Sequence, residues 1–237
     1  LARSAADILL LAPAIAELPR ARSIARAALL DDVVAECAPA VRRAARAAAA
    51  ALSGSAVAVE PCPGLAAIEA ADRHALIVLQ GESARVHRAY VDEPSLAPPL
   101  RRRLGKGLDI SDAELAESIS TRARLAADFE EQALGANEAA ILPMMAILTP
   151  DAAECDPGSS RFSPRTVYAL SRFTRFVNLL GLPAVALPAG FDDAGMPVGV
   201  QLVGRAGSDL ALLGLARDLQ AGTDWHGRVP DAVSHVL

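Results

Sequence analysis

An α/β fold, its sheet covered by helices on both faces, is what the sequence predicts, and three observations predict it. Residues 33–52 place Val33, Cys37, Val41, Ala44, Ala48 and Leu52 at helical spacing, and past Gly54 the alternating Val57 and Val59 follow as a short strand. Helix followed by strand is the order that a layered α/β fold shows. Residues 171–180 repeat the sequence of events, with Phe173, Phe176, Val177 and Leu180 on one helix face and a stop at Gly181, beyond which Pro183 cannot continue a helix. A strand at 184–187, a turn at Asp192-Asp193-Ala194-Gly195 and a second strand at 198–203 come next. Both strands are apolar on both faces, as strands covered from two sides are.

Taken in order, residues 4–16 carry Ile8, Leu11, Ala12 and Ile15 as the expected buried stripe of a first helix. Asp31 or Asp32 is placed to cap the helix that runs to Leu52, whose Arg42, Arg43 and Arg46 form a solvated face. Residues 56–60 read as a strand, 61–64 as a loop, and 65–90 as mostly helical with a break near Gly81. Residues 94–107 hold three prolines, two glycines and Arg101-Arg102-Arg103, an exposed connection. Ser111 and Glu114 form a capping box, in which hydroxyl and carboxylate each satisfy a free backbone N–H. The helix it opens shows Leu115, Ile119, Ala126 and Phe129 on one side. Residues 139–142 read as a buried strand and 149–164 as the longest loop. Ser208 caps the final helix, Asp209 suits its positive end, Leu212, Leu213, Ala216 and Leu219 face the core, and Gly222 ends it. Trp225 and His226 cover that end.

At 237 residues one domain is expected, burying roughly 70–75% of its unfolded surface. Aromatic residues are only 3%, so core volume must come from Leu, Val and Ile. The net charge of −5, with no basic stripe, points away from nucleic acid. Cys37, Cys62 and Cys155 are odd in number and far apart, and the four histidines do not cluster, which supports neither a disulfide framework nor a metal site. A reducing, cytoplasmic setting fits. Arg3, an apolar run and Ala14-Ile15-Ala16 imitate a secretory leader, but Asp7 interrupts the run. No apolar run approaches the ~20 residues that cross a bilayer. Opening within a helix at Leu1, without Met, the chain reads as a piece of a longer one.

The stretch FTRFVNLLGLPAVALPAGF, followed by GMPVGVQLVGR, resembles the C-terminal signature of the amidase signature family. LARSAAD at the start, AILPMMAILT at 140–149 and the region 208–225 are similar to other parts of that family in the same order. The resemblance implies a mixed sheet between helical layers, with residues 1–237 as the C-terminal part of an amidase domain whose catalytic core lies outside. It also implies amide hydrolysis by a Ser nucleophile, a second Ser in a cis peptide and a Lys base, without metal or cofactor. Its partner would be a small-molecule amide substrate, with no nucleic acid or membrane; a homodimer is compatible with it.

The chemistry behind that mechanism is plain: a Ser hydroxyl is a weak nucleophile until a base takes its proton, and a desolvated Lys can be that base. This sequence does not carry the set. Lys106 is its only lysine, in a Leu-Gly-Lys-Gly stretch read as an exposed turn, and Gly158-Ser159-Ser160 lacks surrounding glycines. No Gly-x-Ser-x-Gly elbow is present, and His226 has no nucleophile to serve. The resemblance instead assigns pocket wall: Thr174 and Asn178 on the helix facing the catalytic core, and Met144 and Met145 in the loop after Pro143 that borders the acyl pocket. The structural readings of the same residues are backbone hydrogen bonding for Thr174 and Asn178, core filling for the two methionines, and a buried bond to a neighbouring backbone group for Gln201. In the glutamine-using tRNA amidotransferase branch, an acidic residue three before the Thr grips the substrate ammonium; here that position is Ser171, which favours a stand-alone amidase. Two further readings of the chain stay open: the A-type component of that amidotransferase, and a truncated, non-catalytic remnant.

Overall fold

The computed structural model describes residues 2–15, 17 and 22–228. Helix α1 (Ala5–Ile15) precedes strand β1 (Arg26–Leu30), the short helix α2 (Asp31–Ala35), α3 (Pro39–Gly54), β2 (Ala58–Cys62) and the long α4 (Leu65–Val86). Helices α5 (Pro98–Leu108), α6 (Asp112–Ser120) and α7 (Arg122–Phe129) follow, then β3 (Ala139–Pro143), α8 (Ala152–Cys155), α9 (Pro164–Ala169) and α10 (Arg175–Leu180). The hairpin β4 (Ala184–Phe191) and β5 (Pro197–Gly204) leads into α11 (Asp209–Ala221).

The five strands make one sheet in the order β2-β1-β3-β5-β4. β1 runs parallel to β2 and β3, while β5 runs antiparallel to β3 and β4, so the sheet is mixed. Every residue of β3 is buried. Gln201 and Gly204 lie three apart on β5 and so face opposite sides of the sheet. The Gln201 amide donates to the carbonyl of Phe173, just before α10, whereas the space beside Gly204 is filled by Leu212 of α11. One face therefore carries α11 with α3, and the other carries α10 with α4 and α7. On that second face Phe129 and Phe176 pack with ring centroids 5.2 Å apart. Among the described residues no helix is long and apolar enough to cross a membrane.

The helix-strand-turn-strand order at 172–204 is as the sequence predicts, with α10 shortened to its last turns and β4 extended. Gly181 ends α10 in the left-handed conformation, φ 68°, which its lack of a Cβ allows. β4 continues through Pro188 and Gly190 to Phe191, with irregular register between Pro188 and Phe191; an outer strand tolerates both residues. Asp192 closes the turn by accepting from the backbone N–H groups of Ala194 and Met196, each at 2.9 Å.

Several expectations are corrected. β1 was not foreseen, because Arg-Ala-Ala-Leu-Leu has neither β-branched residues nor alternation; its two parallel neighbours make it a strand. The helix expected over 31–52 is two helices, since Pro39 starts α3 afresh, yet all six predicted face residues are buried. Asp32 Oδ1 accepts from the Val33 N–H in the first turn of its own α2 at 2.8 Å, but it does not stop there. Its carboxylate accepts from the backbone N–H groups of Gly64 at 2.9 and 3.0 Å and Leu65 at 3.0 Å, so it closes the N-terminus of α4 from outside. α4 passes unbroken through Gly81, and residues 98–108 are a helix rather than a connection. Pro98 and Pro99 sit in the first turn, where a missing N–H costs nothing. α5 lies tight on α4: a Cβ on Gly107 would stand 2.3 Å from the Gln80 carbonyl oxygen. The Ser111–Glu114 capping box is present, and a second one, Asp151 with Glu154, starts α8 inside the expected loop. Ser208 stands before α11 but turns its hydroxyl back onto the Arg205 carbonyl instead of capping. The stripe predicted on α1 is only partly covered: Ile8 and Ala12 are half-buried, but Leu11 is 55% and Ile15 84% exposed, and Ala5, whose N–H donates to Gln220 of α11, is the one fully buried residue of the helix.

Candidate functional site

A cavity of about 120 Å³ opens where α4, α5 and the segment joining α9 to α10 meet. α4 contributes Leu76, Leu79, Gln80 and Ser83, one face of the helix; α5 contributes Arg103 and Leu104; Tyr168, Ser171 and Arg175 close the far wall. The sequence brings these together through one buried ion pair. Arg175 is 9% exposed, and its guanidinium meets Asp72 of α4 two-pronged, Nε to Oδ1 at 2.8 Å and Nη2 to Oδ2 at 2.7 Å. Nη1 then donates to the Tyr168 carbonyl at 3.1 Å and to Ser171 Oγ at 2.7 Å. Arg172, one turn back, donates to Glu69 of α4 at 2.6 Å. α10 and the turn before it are thus bolted to α4 by two arginines, and the cavity lies beside the Arg175 bolt.

The polarity of the lining follows from those bonds. Ser171 Oγ accepts from Arg175, and the Tyr168 hydroxyl accepts from Gln80 Nε2 at 3.2 Å. Among the described residues neither hydroxyl donates to a protein acceptor, so both hydroxyl protons are available to a ligand. Arg103 is exposed and adds donors that cannot be deprotonated. With Asp72 consumed by Arg175, the wall offers donors rather than carboxylates. Such a wall holds an acceptor oxygen, a carboxamide carbonyl or a carboxylate, better than an ammonium.

None of the four residues singled out in the sequence lines this cavity. Thr174 is half-buried at the start of α10, and its hydroxyl donates to the Ser171 carbonyl at 3.2 Å. Asn178 is exposed on the same helix. Met144 and Met145 follow β3 at the other end of the sheet: the Met144 backbone N–H donates to Gly199 at 3.0 Å, and Met145 lies with Val41, Ile147 and Val198. Thr174 and Asn178 share a helix, and the methionines share a loop, but the structure does not bring the two pairs to one cavity. Gln201 makes the structural bond expected of it. Trp225 and His226 form a one-turn helix against β4.

Lys106 lies on the exposed side of α5, within a helix rather than a turn. Ser159 and Ser160 sit between α8 and α9, where Ser159 Oγ accepts from the Arg161 N–H at 3.0 Å. Among the described residues no hydrogen bond joins Lys106 to a serine. A Ser–His contact exists elsewhere, His74 Nδ1 to Ser118 Oγ at 3.2 Å between α4 and α6, but Ser118 is only 2% exposed. Among the described residues no group of three or more His, Cys, Asp or Glu could hold a metal ion.

Tyr168, Arg175, Gln80 and Arg103 were not anticipated as site residues. Arg175 had a signal, a charged residue in the middle of an apolar helix face, which demands a buried partner. Its partner Asp72 lies 103 positions away, which no local pattern reveals.

The family model described as Amidase matches residues 13–213. A curated relative from Neisseria meningitidis serogroup A, named as the A-type component of glutamyl-tRNA(Gln) amidotransferase, is 44% identical over 86 residues, which are 36% of this chain and 18% of the relative. Among solved structures, one described as an amidase superposes with a TM-score of 0.77 at 24% identity, covering 92% of this chain and 51% of its own. A 6-aminohexanoate cyclic dimer hydrolase superposes with a TM-score of 0.74 at 23% identity, covering 98% of this chain and 56% of its own. The chain spans about half the length of these solved structures, and the stretch aligned with the curated relative is under a fifth of that protein.

Proposed function

The chain belongs to the amidase family, and from that premise we propose that it forms the substrate-side half of an amide hydrolase. In this reading the donor-lined cavity beside α10 receives the oxygen of the substrate. The Ser nucleophile, the cis-Ser and the Lys base come from polypeptide outside residues 1–237. The observation that carries it is the state of Ser171 and Tyr168: each hydroxyl is held by a donor behind it, leaving its own proton for a ligand. The separation of Lys106 from Ser159 and Ser160 supports the assignment of the reacting groups elsewhere. Thr174 and Asn178 border the face of α10 turned toward those groups, and Met144 and Met145 border the acyl side. Cys37, Cys62 and Cys155 are all free thiols, in keeping with a reducing, cytoplasmic setting. No cofactor is assigned.

Two measurements on the 237-residue chain test the proposal. Benzamide should shift the NMR signals of the Tyr168 ring, and the chain alone should neither hydrolyse aryl or alkyl amides nor be labelled by a fluorophosphonate. A serine labelled within this chain, with turnover, would place the nucleophile here and overturn the division.

A second reading, the A-type component of a tRNA amidotransferase, is favoured by the name of the Neisseria relative. Against it stands the charge at Ser171. A guanidinium lies 2.7 Å from that hydroxyl, where gripping an ammonium calls for a carboxylate. Glutaminase activity of a longer chain containing residues 1–237, purified with a tRNA-binding partner, would decide for this reading.

A further inference from the structure

The inner cavity does not end at Ser83 and Leu104. Both residues also line a second, outer hollow of about 410 Å³, so the two spaces adjoin there. The outer hollow alone lies within the usual range of ligand sites, roughly 300–1,000 Å³. It runs along the end of α4 and the start of α5; Tyr90, Leu96, Leu100 and Leu104 supply its apolar wall, and Ser83, His87, Glu93 and Ser95 its polar edge. Tyr90 is 59% and Leu100 43% exposed, and at the inner mouth Leu79 is 56% exposed, so large apolar side chains gather around one opening. The rim is held in place, because Arg101 Nη2 donates to the carbonyls of Glu93 at 2.8 Å and Leu96 at 3.3 Å.

We propose that the outer hollow binds an aryl or alkyl arm of the amide substrate while the oxygen-bearing head occupies the inner cavity, with Tyr90 and Leu100 setting the preference for that arm. This rests on the reading of the inner cavity as the head-group site. Size divides the two chambers. An apolar cavity of about 150 Å³ accommodates benzene, so the inner 120 Å³ is too small for a whole ring with its carboxamide and takes the carboxamide with only the near part of a ring. Anything attached beyond must pass Ser83 and Leu104, which both spaces share, into the apolar hollow. A short polar amide such as glutamine would leave that hollow filled with water against four apolar side chains. A substrate with an apolar arm would displace that water and gain from each methylene buried.

The test is a calorimetric titration of the 237-residue chain with benzamide, 4-butylbenzamide and 4-hexylbenzamide. Full burial is worth roughly fourfold in affinity per methylene, and a half-open groove roughly twofold. We therefore expect 4-butylbenzamide to bind at least tenfold tighter than benzamide, with a further gain for the hexyl compound. Leu100→Ser and Tyr90→Ser, both at partly exposed positions, should erase most of the alkyl gain and leave benzamide unchanged. Val86→Ser, at an exposed apolar position outside the groove, should change neither. Equal affinities across the series, with benzamide bound, would overturn the outer-arm assignment alone. An alkyl gain that survives both groove substitutions, or that Val86→Ser removes, would overturn it too, as nonspecific association. Failure of benzamide and both alkylbenzamides to bind would overturn the assignment together with the head-group reading beneath it.

Discussion

Replacing Asp72 by Ala tests whether the Arg175 bolt holds the site together. The substitution removes two charge-assisted hydrogen bonds, at 2.8 and 2.7 Å, from a guanidinium that is 9% exposed. The bonds from Nη1 to Tyr168 and Ser171 remain, but the charge loses its counter-ion. Breaking a buried pair by deleting one partner costs about 3–5 kcal/mol, most of it from the charge left behind. At roughly 2–4 °C per kcal/mol for a chain of this size, thermal unfolding followed by circular dichroism should move down by about 6–20 °C. The physical account makes a second demand. Asp72→Leu combined with Arg175→Met removes the stranded charge and fills the space, so the double variant should regain most of the loss. A drop of under about 2 °C for Asp72→Ala would mean that the guanidinium is solvated after all. A double variant as unstable as the single one would mean that packing, rather than stranded charge, dominates. Either result refutes the bolt.

Three further outcomes are expected. Gly107→Ala forces a methyl group against the Gln80 carbonyl and should destabilise the chain by about 1–3 kcal/mol in urea unfolding, since α5 cannot move off α4 without opening the groove. The Glu114 carboxyl is held below its ordinary value of 4.5, first by the Ser111 hydroxyl and then by the Ser111 backbone N–H. A lowered folded pKa means that this cap contributes above the ordinary value and is lost as pH falls below it, so NMR signals of the first turn of α6 should show fraying between pH 4.5 and acid, and none between pH 7 and 5. Burial pushes the Cys37 thiol up to about 11, so iodoacetamide at pH 8 should leave Cys37 unmodified in the folded chain and alkylate it in urea.

What the sequence disclosed, and what it hid, divides by range. The buried face running from Val33 to Leu52 across α2 and α3, the Ser111 cap, the core face of α11 and the Gly181 stop are written in spacings of three or four residues, and each is found in place. β1 is a strand because β2 and β3 flank it, and Asp32 caps a helix 32 residues later; both depend on chain folding back from afar. α5 was hidden for another reason: prolines and glycines that punctuate a loop also fit a helix start and a close helix crossing. The family motif drew attention to α10 through Thr174 and Asn178, neither of which lines the cavity. It could not show that the cavity lies on the Arg175 side, since that is decided by Asp72.

Between Val41 and Leu52 the buried side of α3 is made of Ala44, Ala45, Ala48 and Ala49, and β3 begins with the buried Ala139 and Ala140. Methyl groups freeze no rotamers when they are buried, so this wall is rigid at little entropic cost. It also has no slack. A larger residue on either side needs a matching subtraction on the other, and drift in this part of the lineage should proceed by paired exchanges of volume.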